Sequence, residues 1–242
     1  MRTFLFIAIV LISGVTAGLI HGGANFVFVE PSLDQAIGIE NQQLFESGEE
    51  KDTPEFRAEF DSYRYWQKSG QILAGAILGI SIGSLFGIVF VLSRNSLPGK
   101  SDMGKSLLLA GIMWLTIYFI PFLKYPANPP TVGDPDTVVL RSILYLSFIA
   151  ISGFGALGFY KIFKKLKTKK FIAILGYAVF VGIVFFAMPE NPDKITAPME
   201  LVDQFRIMSA LAVSIYWLSL GVILGSLWNH FRPHNALKST FN

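Results

Sequence analysis

No cysteine occurs anywhere in these 242 residues. A disulfide framework and a thiolate metal site are thereby excluded, and with them Cys-ligated zinc, iron–sulfur clusters and cysteine-nucleophile chemistry. Charge is scarce as well: Asp, Glu, Lys and Arg make up 15% of the chain, against roughly a quarter in an ordinary soluble domain. A serine-hydrolase elbow, a phosphate-binding glycine loop and a His-Glu-x-x-His helix are all missing, so an enzyme is not expected.

The scarcity of charge is organised. Residues 4–29, 72–92, 106–123, 142–160, 171–188 and 207–229 contain no Asp, Glu, Lys or Arg, and a bilayer crossing needs about 20 such residues. The expected fold is all-α: a polytopic transmembrane helical bundle of six spans, one integral membrane domain over residues 1–242. Residues 1–17 also have the look of a signal peptide, with Arg2, an apolar stretch and Val15-Thr16-Ala17. The apolar run continues to residue 29, which argues for retention as a span; cleavage would leave five.

Charges sort by side. Alternate connections give one side 12 basic residues against the single acid Asp102, six of the bases lying in residues 161–170. The other side holds residues 30–71, 124–141 and 189–206, with 16 acids and 8 bases. The positive-inside rule places the first side, with both termini, in the cytoplasm of a multi-pass cell-membrane protein. The lysine run at 161–170 is then a topology anchor that attracts anionic lipid headgroups. It lacks interleaved aromatics and a soluble domain to carry it, so nucleic acid is not an expected partner.

The first run carries Gly14, Gly18 and Gly22, the second Gly75, Gly79, Gly83 and Gly87, and the last Gly221 and Gly225. Small residues at every fourth position allow close backbone approach, which drives helix association in lipid, so these stripes are expected contact faces. Within the acidic outer loop 30–71, Thr53-Pro54-Glu55 reads as a helix start. Phe56, Phe60 and Tyr63 continue at helical spacing, predicting an amphipathic helix on the outer surface that runs into the second span. Residues 124–141 hold four prolines and predict a rigid, non-helical cap. Residues 189–206 repeat the style.

Within the spans the polar residues are neutral, which leaves out an ion-pair or carboxylate-relay transporter core. His21 and Asn25 lie one turn apart on one face, and Glu30 follows at the outer end. This His21, Asn25, Glu30 set is the candidate metal site, lining a path for a divalent cation with nitrogen and oxygen ligands. The competing reading is that His21 hydrogen-bonds a neighbouring helix. His230 and His234 have i, i+4 spacing, but Pro233 between them is expected to end the helix and spoil a clamp. Asp134, Asp136, Glu190, Asp193, Glu200 and Asp203 would either gather cations electrostatically or form an ordinary acidic surface.

Four stretches together resemble one family. They are Gly18-Leu19-Ile20-His21-Gly22-Gly23-Ala24-Asn25-Phe26 leading to Glu30-Pro31 and Glu40, then Trp66-Gln67-Lys68-Ser69-Gly70 before the glycine-rich run. The other two are residues 121–133 with Arg141, and residues 201–209 with Tyr216-Trp217-Leu218-Ser219-Leu220-Gly221. This set is similar to the CbtA family of probable cobalt transporter subunits. The resemblance implies cobalt, or another divalent cation, as transported ion rather than cofactor, and uptake linked to cobalamin synthesis. It also implies a small single-span, histidine-rich, CbtB-like partner, and five spans as the family's usual count. The alternative function is a non-transporting structural or assembly subunit whose rigid outer loops dock onto a larger membrane complex.

Overall fold

In lipid, an apolar segment satisfies its backbone groups within itself, and the helix is the form that does so without a partner strand. The computed structural model describes residues 3–233 apart from 131, 167, 168, 194 and 196. Its helices are α1 (Thr3–Ala24), α2 (Glu30–Ser47), α3 (Pro54–Ser93), α4 (Asp102–Trp114), α5 (Ile120–Lys124), α6 (Val138–Lys165), α7 (Phe171–Ala187) and α8 (Met199–Phe231). Among the described residues there is no strand. Five-residue π-turns, Asn25–Val29 and Leu115–Phe119, join α1 to α2 and α4 to α5.

Five stretches are long and apolar enough to cross a membrane: Thr3–Ser47, Pro54–Ser93, Asp102–Lys124, Pro135–Lys165 and Met199–Phe231. Helix α7 is apolar but shorter, at 17 residues, or about 25 Å. Large apolar side chains such as Phe4, Leu73, Leu92, Phe154 and Phe186 stand exposed along these helices, as a lipid-facing surface requires. The protein is an all-α, multi-pass helical membrane protein.

The chain groups into two units, residues 1–111 with 203–242 and residues 112–202. In the first, α1 and α3 run against each other with the glycine stripes in register. A Cβ on Gly14 would stand 2.3 Å from the Gly79 carbonyl oxygen, and one on Gly18 2.1 Å from that of Gly75. Only hydrogen fits between these backbones, so the predicted stripe is an interlock. The glycines of α8 serve another neighbour: a Cβ on Gly221 would meet Ala110, and one on Gly225 the backbone of Met103, both on α4. Aromatic rings fill the basic end of this unit, with Trp228 edge-on to Phe90 and Phe6, and Phe86 edge-on to Trp217.

Residues 30–71 are more helical than the single amphipathic helix expected of them. Pro31 sits in the first turn of α2, where its missing N–H costs no helical bond. The Thr53 side chain accepts from the Phe56 N–H to cap α3, and α3 then continues unbroken through Ser93. The hairpin of α2 and α3 is closed by Phe45 packing edge-on against Phe56.

In the second unit, Tyr125, Leu144, Phe148 and Val181 form a small core between the proline-rich loop, α6 and α7. Its two loops are latched together. Lys124 Nζ reaches Glu190 at 2.7 Å, and the Tyr125 hydroxyl donates to the Pro189 carbonyl at 2.6 Å. Thr137 Oγ1 donates to Asp193 at 2.6 Å, and Arg141 pairs with the same buried carboxylate. Gly133 has φ +113°, and a Cβ there would strike Asp193 at 2.5 Å. The loop can therefore close on that carboxylate only with glycine at 133.

Candidate cation site

The candidate site begins where α1 ends. His21 is buried, and its Nδ1 lies 3.2 Å from the carbonyl oxygen of Ala212 on α8. A carbonyl only accepts, so Nδ1 carries the proton and the neutral imidazole keeps its one lone pair on Nε2. Asn25, a turn further on, donates its amide N–H to that lone pair at 3.3 Å. This is a long bond, easily exchanged, and rotating the carboxamide would present its oxygen instead. The structure thus brings His21 and Asn25 together, with the imidazole tied to a neighbouring helix at Nδ1 and exchangeable at Nε2.

Glu30 is placed elsewhere. It lies beyond the π-turn, roughly 13 Å along the axis from His21 at 1.5 Å per residue. Its Oε2 accepts from Arg64 at 2.7 Å and its Oε1 from the Gln71 side chain. Arg64 also donates to Asp34 at 2.8 Å and Gln67 at 2.7 Å, and Lys68 donates to Asp34 at 2.6 Å. Glu30 and Asp34 are i, i+4 on α2, as Arg64 and Lys68 are on α3, so two carboxylates face two cations and their formal charges cancel. Burial pushes the Asp34 carboxyl up, but Lys68 and Arg64 outweigh it and hold the group below its ordinary value.

The antiparallel register that sets Gly14 against Gly79 and Gly18 against Gly75 also carries Glu30 to Arg64. That partnership was missed in the sequence, although acids just after one glycine-striped run and basic residues just before the other were visible signs. Tyr216 was missed too. It is buried on α8 one turn beyond Ala212, its ring 5.6 Å from that of His21.

The remaining candidates divide plainly. His230 is exposed near the end of α8, edge-on to Phe231, and the helix stops before Pro233; His234 lies outside the described residues. Asp193 and Glu190 are held in the latch, Asp134 caps the 3-10 turn Pro135–Thr137, and Asp203 pairs with Arg206. Asp136 and Glu200 are exposed. Among the described residues no three His, Asp or Glu side chains converge as a metal-holding group.

A search of curated proteins and of solved structures finds no match. The sequence model of one family does match, over residues 2–229. That span takes in the glycine-striped helices, His21 and Asn25, the Arg64 network and the latched loops. Its description is a probable cobalt transporter subunit, and this chain belongs to that family, CbtA.

Proposed function

We propose that this chain is the membrane subunit of an uptake system for cobalt or a similar divalent cation, and that His21 Nε2 receives the ion inside the bilayer. The observation that carries the reading is the His21–Asn25 pair. Its Nδ1 is fixed by Ala212, and its single lone pair is shielded only by a 3.3 Å bond from an amide that can turn over. Imidazole nitrogen with neutral oxygen suits a first-row divalent ion. One imidazole also holds such an ion weakly, and transport needs a site the ion can leave. Glu30 is proposed as the entry ligand, with Arg64 as the resident counter-cation that an arriving ion displaces. Charge sorting supports an orientation with the acidic end outside and both termini cytoplasmic. The chain's place as a transporter subunit suits a partner, and the proposal extends to a link with cobalamin synthesis and a small histidine-rich single-span partner.

The test is cobalt accumulation by cells expressing the protein, with and without that partner, normalised to folded protein. His21→Ala is expected to abolish uptake per folded molecule. Uptake that falls only in proportion to folded protein would make His21 a packing residue. A second reading, an assembly subunit that docks through its outer loops, is favoured by the Lys124–Glu190 and Arg141–Asp193 latch. It predicts that loosening the latch with Asp193→Asn abolishes complex assembly while His21→Ala leaves it whole.

A further inference from the structure

Tyr216 has a hydroxyl that the fold does not use. The residue is 3% exposed, and its hydroxyl has no hydrogen-bond partner. Its ring packs tilted against His21 at 5.6 Å and edge-on to Trp217 at 5.7 Å. Phenylalanine would make both contacts without burying an unmet polar group, which is destabilising. Tyr118 and Tyr160 also bury unmet hydroxyls, so the orphan alone is no argument. What distinguishes Tyr216 is its neighbour, the histidine whose lone pair is the exchangeable one.

Helix direction brings the two groups together. Side chains lean toward the N-terminus of their own helix. Helix α1 begins at the basic end and α8 at the acidic end, so His21 and Tyr216 lean toward each other. Ala212, one turn before Tyr216 on α8, fixes the imidazole at Nδ1. One segment of α8 therefore sets the tautomer of His21 and packs against its ring a tyrosine whose hydroxyl is unspent.

We infer that the Tyr216 hydroxyl is a further oxygen ligand for the divalent cation at His21, replacing one of the waters the ion sheds on entering the bilayer. The inference rests on the His21 reading above and deepens it. The resulting set is neutral throughout: imidazole Nε2, the Asn25 carboxamide oxygen after rotation, and the phenolic oxygen. Such a set selects a borderline divalent ion over a hard one by its nitrogen and leaves the ion its full charge, so it holds the ion briefly.

The test is a cobalt(II) titration of the purified full-length protein in detergent, followed by calorimetry and by the visible ligand-field bands of bound cobalt. Tyr216→Phe is expected to weaken binding by about 10- to 100-fold, to shift the bands at saturating cobalt, and to leave the melting temperature equal or higher. The bands at saturation report the ligand set of the folded protein whatever the variant's stability. Unchanged affinity or unchanged bands in Tyr216→Phe, with binding lost in His21→Ala, would overturn the role of Tyr216 and leave the His21 reading standing. Binding unchanged in both variants would overturn the His21 reading itself and this inference with it.

Discussion

The π-turn at Asn25–Val29 and the one at Leu115–Phe119 share a construction. In each, the next N–H reaches back five residues, Glu30 to Asn25 and Ile120 to Leu115, and a proline follows at 31 or 121. Proline has no N–H, so the carbonyl of Phe26 or Thr116 loses the donor that would come next. In the second unit the loss is made good: Ser152 Oγ donates to the Thr116 carbonyl at 2.5 Å, and Tyr177 donates to Ser152 at 2.8 Å. In the first, among the described residues, no side chain donates to Phe26, and His21, Asn25 and Tyr216 keep their exchangeable atoms. One helix break is sealed with hydroxyls; the other leaves the Tyr216 hydroxyl unmet and His21 and Asn25 joined by a single long bond. Pi-turns concentrate at functional sites, and the contrast is the one the proposed site at His21 predicts.

The comparison breaks most easily at the glycines. A Cβ on Gly79 would stand 2.1 Å from the Gly14 carbonyl oxygen, against backbone that cannot rotate away. Gly79→Leu is expected to cost about 3 kcal/mol or more and to remove most folded protein. Gly155 in the second unit would meet only the Phe180 ring, at 2.4 Å, and a ring can turn, so Gly155→Ala should cost about 1 kcal/mol. Thermal scans in detergent decide it, and equal melting temperatures would mean that the α1–α3 interlock does not hold the first unit together.

The ion pairs come next. Glu30→Gln leaves Arg64 buried with Asp34 as its carboxylate partner, and breaking a buried pair from one side costs about 3 kcal/mol. Uptake by this variant must therefore be expressed per folded molecule. Arg64→Met alone should cost a similar amount, and the double variant less than the sum of the two. Strict additivity would mean that the pair contributes nothing as a pair.

Much of this was legible beforehand, for reasons that can be named. Lipid demands helices, so charge-free runs of about 20 residues give away their structure, and Gly14, Gly18, Gly75 and Gly79 announce a close approach at helical spacing. Thr53-Pro54-Glu55 marks the start of α3 because capping is local chemistry. Partners across helices are not local. Nothing near Glu30 in the chain names Arg64, 34 residues on, and nothing near His21 names Ala212, 191 residues on. Helix α2 went unseen because Pro31 reads as a breaker until the π-turn places it at a helix start.

Ser152→Ala and His21→Ala sharpen the comparison as a crossed pair. Ser152→Ala strands the Thr116 carbonyl and leaves the Tyr177 hydroxyl only its 3.3 Å bond to the backbone carbonyl of residue 152, at a cost of about 1–3 kcal/mol, with uptake per folded molecule unchanged. His21→Ala loses the bond to Ala212 and the long one from Asn25, at about 1–2 kcal/mol together, and loses uptake. If instead Ser152→Ala abolished uptake at unchanged stability, the sealed break would be the working one.

The smallest effect belongs to His230. It is exposed near the end of α8, edge-on to Phe231. After Phe231 the backbone turns at Arg232, with φ 45°, into Pro233. The helix ends at Phe231, and the i, i+4 residue, His234, lies outside the described residues. An exposed imidazole competes with water for any ion it meets and gains nothing from a low dielectric. His230→Ala should leave melting temperature, cobalt affinity and uptake within error of the parent protein. A fall in cobalt affinity as large as that of His21→Ala would place the ion at the basic end of α8. The unspent polar groups around Asn25 would then need another explanation.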